Sequence, residues 1–105
     1  MDLDDLKQQL AHFAIERDWE QYHTPKNLAM ALSVEASELV EIFQWLTPEQ
    51  STTIMETEEK ELVEEELADI LIYLVRLADK LGVDLAVAVD SKIVKNGEKY
   101  PAGKV

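Results

Sequence analysis

The sequence predicts an all-α protein, and three observations carry that expectation. Helical spacing of apolar residues recurs four times, no stretch alternates with period two for long enough to form a strand, and Pro and Gly stand where helices would begin or end. At 105 residues the chain fits one domain, 1–105, with no internal repeat and no linker long enough to separate a second. A lone chain of this size buries only about two thirds of its unfolded surface. Yet 47% of its residues are hydrophobic, more than one small core needs, so the expected architecture is a four-helix bundle protomer that assembles into a homo-oligomer.

The first helix is expected from about Asp2 to Trp19, with Asp2 as its cap and Leu3, Leu6, Leu10 and Phe13 on one stripe. The second opens at "HTPKN", where Thr24 caps and Pro25 suits the first helical position, and runs to about Trp45. In "TPEQSTTIMET", residues 47–57, Thr47 and Pro48 start a short helical turn, and the Ser/Thr run reads as a flexible connection. The third helix spans about Glu58 to Leu81 and closes at Gly82, which adopts the left-handed conformation at no steric cost. A fourth runs from Asp84 to near Gly97. The tail "EKYPAGKV" is expected to be extended, because Pro101 resists continuing a helix.

Composition narrows the chemistry. Without cysteine there is no disulfide framework and no thiolate metal site, which fits a reducing compartment and leaves oxygen ligands as the open metal chemistry. The longest apolar run, "ILIYLV", is far below the roughly 20 residues of a membrane span, and no N-terminal signal pattern is present, so a soluble, cytoplasmic protein is expected. A net charge of -12 argues against a nucleic-acid partner, since phosphate-backbone binding needs clustered Lys and Arg. Much of that charge lies in "ETEEKELVEEE", Glu56 to Glu66, most of which reads as a solvated helix start favoured by the helix dipole.

Two places break the apolar pattern. Leu28, Leu32, Leu39 and Ile42 line one stripe of the second helix, but the residue that completes it is Glu35, with Glu38 three residues on. "LADILIYLVRLA" is apolar at nearly every position, yet it carries Asp69, with Glu66 three residues before and Tyr73 four after, all on one face. Buried carboxylates must be protonated, paired with cations or bound to a metal, because an isolated one costs several kcal/mol to desolvate. Ten Lys and Arg serve 22 acids, and none stands inside "LSVEASELVEIF" or "LADILIYLV", so pairing is short of partners. A cluster of Glu35, Glu38, Glu66 and Asp69 suits a hard cation: Mg2+, with Mn2+ as a substitute. Such an ion would also let an acidic protein hold a polyphosphate. A carboxylate-bridged di-iron bundle is the rival, but it uses Glu-x-x-His on two helices, and neither His12 nor His23 stands at that offset.

"EASE" followed by "EELAD" resembles the paired ExxE and ExxD motifs of the all-α MazG-like nucleoside triphosphate pyrophosphohydrolases. The resemblance extends to the dCTP pyrophosphatase branch through "RDWEQYHTPKNLAMALSVEASELVEIFQW", "EEELADILIYLVRLADKLGVDL" and "SKIVKNGEKYP", most of residues 13–101. It implies Mg2+-dependent hydrolysis between the α and β phosphates, yielding a nucleoside monophosphate and pyrophosphate, as house-cleaning of unwanted nucleotides. It also implies a homotetramer or dimer, with Glu35, Glu38, Glu66 and Asp69 as metal ligands.

By the same resemblance Trp19 and Trp45 line a base pocket, Tyr73 lies near the nucleotide, and Lys92, Asn96, Lys99 and Tyr100 meet phosphates and sugar. Phe13 reads as core and Lys95 as a bystander. One departure is that some members of the branch carry a histidine nine residues before the "RDW" tryptophan, where this chain has Leu10. The competing functional class is a noncatalytic helical assembly protein whose acids bind cations for stability. The ordered "SKIVKNGEKYP" motif, which a scaffold does not require, favours the enzyme.

Overall fold

Side chains that satisfy the first free N–H groups start most of the helices. In the computed structural model, which describes residues 1–103, Asp2 accepts from Asp4 and Asp5 to open α1, Leu3–Glu16. Thr24 accepts from the N–H of Asn27 and Pro25 occupies the first turn of α2, Pro25–Phe43. Thr47 and Gln50 form a reciprocal capping box on α3, Pro48–Thr52, and a 3₁₀ turn follows at Ile54–Glu56. Then come α4, Lys60–Leu81, closed by Gly82 at φ 69°, and α5, Leu85–Lys99, capped by Asp84. Every described element is helical.

Several expected boundaries move. The first helix ends at Glu16 instead of Trp19, because Asp18 takes a left-handed φ of 55°. The N–H of Trp19 then returns to Ala14 O at 2.9 Å and that of Asp18 to Ile15 O at 3.1 Å, a closure of the Schellman type. The second helix ends at Phe43, two residues short of Trp45. The 47–57 connection is more ordered than its Ser/Thr content suggests: α3 and the 3₁₀ turn fill it, and Ile54 is buried. The last helix continues through Lys99, so Glu98 and Lys99 are helical rather than tail. Lys104 and Val105, the end of the expected tail, lie outside the described residues.

The expectation of a four-helix bundle is corrected to five helices among the described residues, with α1, α2 and α4 as the packed centre. α2 against α4 is the principal interface, and α1 adds a smaller contact on α4. Ala14, Leu28, Ile54, Val63, Val75 and Ala78 form the fully buried apolar core. Beyond Leu85, every residue of α5 is exposed, including Val87, Val89, Ile93 and Val94, so this helix projects instead of completing a bundle. Nor is α4 enclosed all round, because Leu67, Leu74 and Leu81, seven residues apart, are exposed. The radius of gyration, 16.9 Å, exceeds the about 13 Å of a compact chain of similar length, as a projecting helix requires. No helix among the described residues is long and apolar enough to cross a membrane.

Candidate functional site

The main interface brings the two acidic pairs face to face. Glu35 and Glu38 lie three residues apart on α2, and Glu66 and Asp69 three apart on α4. Carboxylate oxygens of Glu35, Glu38 and Glu66 all lie within 4.8 Å of one another. Asp69 stands outside this tight group, half-buried, one turn further along α4.

Among the described residues, no cation pairs with the group. Oε2 of Glu35 and Oε2 of Glu66 are both buried without a hydrogen-bond partner. The abutting Glu66 carboxyl, then burial, then the neighbouring Glu38, push the pKa of Glu35 up to about 7 from an ordinary 4.5. Tyr73 feels the same acids: burial first, then the charges of Glu35 and Asp69, raise its hydroxyl above the usual phenol range.

The remaining predicted residues stand on other segments of the chain. Trp19 sits in the turn after α1, 42% exposed, with its ring edge-on to Phe13 at 5.6 Å between centroids. Trp45 follows α2 and is 86% exposed. Lys92, Asn96 and Lys99 are exposed on the projecting α5, and Tyr100, at its end, lies with its ring 5.3 Å from Lys99 Nζ. Leu10 is half-buried on α1. His12 is exposed and pairs with Glu16 at 2.8 Å, whereas His23 is half-buried against Arg76, so neither histidine joins the acids.

Arg76 is the polar residue the sequence reading passed over. Its side chain is 3% exposed within α4, where it sits three residues after Tyr73. The signal was present: the three-four spacing that joins Glu66, Asp69 and Tyr73 continues to residues 76 and 80. A cation inside an apolar run pointed to a buried partner.

The MazG-like family matches residues 30–105 of this chain. A pyrophosphatase from Archaeoglobus fulgidus DSM 4304 has the same fold, with a TM-score of 0.87 and 44% identity over 93% of this chain and 91% of that one.

The chain belongs to the MazG-like family.

Among curated relatives of this MazG-like chain, dCTP pyrophosphatase 1 of Homo sapiens is 48% identical over 101 residues, 95% of this chain and 59% of the relative. The protein of the same name in Rattus norvegicus is 47% identical over 94% of this chain and 59% of its own length. The chain thus spans about three fifths of the length of the curated relatives it matches.

Proposed function

We propose that this MazG-like domain, residues 1–105, is a Mg2+-dependent nucleoside triphosphate pyrophosphohydrolase that cleaves dCTP or a modified dCTP to the monophosphate and pyrophosphate in the cytoplasm. The observation that carries this reading is the pair of buried, unpartnered oxygens on Glu35 and Glu66, whose carboxylates approach within 4.8 Å of each other and of Glu38. Buried lone pairs that meet neither a donor nor a cation of the chain are a cost to folding unless a ligand supplies one. The relatives named dCTP pyrophosphatase 1 support the substrate and the reaction.

In this reading Glu35, Glu38 and Glu66 hold Mg2+ with Asp69 as the fourth acid, and Mn2+ substitutes. The oxygen-only donor set fits either ion. Such an ion, when bound, offsets phosphate charge and activates water. Trp19 and Trp45 offer flat faces to the base, Tyr73 borders the nucleotide, and Lys92, Asn96, Lys99 and Tyr100 contact phosphates and sugar.

The exposed apolar residues of α4 and α5 support a homo-oligomer, in our reading a homotetramer with a dimer as the smaller form. Assembly would cover α5 and bring its polar end to a cluster of acids.

Incubating the purified protein with each dNTP and NTP, with and without Mg2+, and separating the products by chromatography tests the reading. Monophosphate and pyrophosphate from dCTP, only with the metal, are expected. Orthophosphate release, or no turnover of any triphosphate, would reject the reaction and favour a noncatalytic assembly protein.

A further inference from the structure

The polar line on α4 does not stop at Tyr73. Residues 66, 69, 73, 76 and 80 alternate steps of three and four, so Arg76 and Lys80 continue on the face that carries Glu66 and Asp69. Burying a guanidinium costs several kcal/mol unless its donors are met, and here they are met from three directions. Nη2 donates to Glu20 Oε1 at 2.7 Å, Nε to His23 Nδ1 at 3.4 Å, and Nη1 to Asp79 Oδ2 at 3.4 Å. Lys80 also donates to Glu20. Asp79 belongs to the same helix as Arg76, but Glu20 and His23 lie in the segment between α1 and α2, more than fifty residues away in sequence.

That segment carries Trp19. The backbone N–H of His23 donates to Trp19 O at 3.1 Å, and the imidazole lies 6.0 Å from the indole between ring centroids. Trp19 is also held by an edge contact with Phe13, by the N–H of Tyr22, which donates to its O at 2.9 Å, and by the closure of α1 at the left-handed Asp18. Arg76 shares Glu20 with Lys80, but of the two only Arg76 also meets His23, so it joins both ends of this turn to α4.

We propose that Arg76 is a positioning residue: through Glu20 and His23 it fixes the turn that presents Trp19 to the nucleotide base. Arg76 does not reach substrate itself, since its side chain is enclosed and each of its three nitrogens already donates within the chain. It acts by pre-organisation, because a ring already held in place loses less conformational freedom when a base stacks on it. The inference rests on the reading of Trp19 as part of the base pocket.

The test uses the full chain, with dCTP as substrate and saturating Mg2+. Arg76→Met keeps the apolar stem and removes the donors. Glu20→Gln weakens the same contact, together with that of Lys80, from a partly exposed residue whose replacement leaves the core intact. A charge-assisted hydrogen bond of this kind corresponds to about a tenfold effect. Each variant is expected to raise KM about tenfold while kcat and the Mg2+ concentration for half-activation stay within about twofold. Arg76→Lys, able to reach Glu20 but not to fork to His23, is expected to recover part of the loss.

In a Trp45→Phe background, the fluorescence of Trp19 is expected to become more accessible to acrylamide in both variants. Combining either variant with Trp19→Ala should give no further rise in KM over Trp19→Ala alone. An unchanged KM in Glu20→Gln, or additive effects with Trp19→Ala, would overturn the proposal and leave Arg76 as a stability contact. If Trp19→Ala itself leaves KM unchanged, the base-pocket reading fails and the positioning role falls with it. The fluorescence result then still shows separately whether Arg76 holds the turn.

Discussion

Two ends of one helix face treat buried charge in opposite ways. At the N-terminal end of the α4 line, Glu66 meets Glu35 and Glu38 with no cation among its partners, and an oxygen on each of Glu66 and Glu35 is left unsatisfied. At the C-terminal end, Arg76 is more deeply enclosed and yet meets two carboxylates and an imidazole. Lys80, and with it Arg76, hold the carboxyl of Glu20 below its usual range, while burial followed by Arg76 lowers His23. The difference teaches what each cluster is for. In the proposed function, like charges brought together are held for a ligand that is not part of the chain, whereas the opposite charges at the other end tie two segments of it.

The largest effect that would break this contrast is expected at Glu66. Glu66→Ala should lower turnover by at least about a hundredfold and leave the metal-free protein no less stable than wild type, because it relieves repulsion among acids. At about 100 times its dissociation constant, Mg2+ should stabilise wild type by roughly 2.7 kcal/mol and the variant far less. Arg76→Met should keep the full Mg2+ shift. A turnover assay checks the first statement and thermal melts at matched ionic strength the other three, and an equal shift in Glu66→Ala would remove that residue from the site.

The pH dependence of metal-free stability sharpens the same comparison. Glu35 has a folded-state pKa of about 7 against an ordinary 4.5, so between those values the folded state holds the proton that the unfolded chain has released. Stability therefore falls as pH rises from about 4.5 to about 7 and levels off above, in proportion to the protons that the folded state binds in excess. Melts of wild type and Glu35→Gln across this window should show a steeper decline in wild type. Parallel curves would mean that Glu35 does not carry the proton.

A smaller effect is expected at Trp45, which lies outside both clusters. Trp45→Ala should raise KM for dCTP about tenfold, the lower part of what base stacking contributes, with stability changed by less than about 0.5 kcal/mol. A large loss of stability with an unchanged KM would make Trp45 a packing residue of the assembly. The smallest change is expected at Asp18. Replacing it with Gly relieves a left-handed conformation that disfavours most side chains, so Asp18→Gly should stabilise by up to about 1 kcal/mol in denaturant unfolding. Destabilisation would show that the contact from Gln21 Nε2 to Asp18 Oδ2, at 3.3 Å, outweighs the strain.

Local chemistry was legible wherever it acts within a few residues. Thr24 with Pro25, Asp84 and Gly82 each mark a helix end that the structure has, because capping and left-handed closure involve only neighbouring backbone. The end of α1 was not legible, since Asp18 adopts a conformation that its residue type seldom prefers. Ile54 was hidden in a Ser/Thr run because its anchorage comes from α4, on which the 3₁₀ turn packs.

By itself, the sequence determined that the protein is helical and that two acidic pairs stand at matched spacing on separate helices, since periodicity and side-chain direction follow from backbone geometry. Only the tertiary structure decided that Glu35, Glu38 and Glu66 come within 4.8 Å while Asp69 stands aside, that α5 projects, and that Arg76 reaches Glu20 across 56 positions. The physical reason is that a one-dimensional pattern states which face a side chain occupies. Which face it meets is settled by how whole helices pack, and a shift of one turn, about 5.4 Å, would separate every one of these partners.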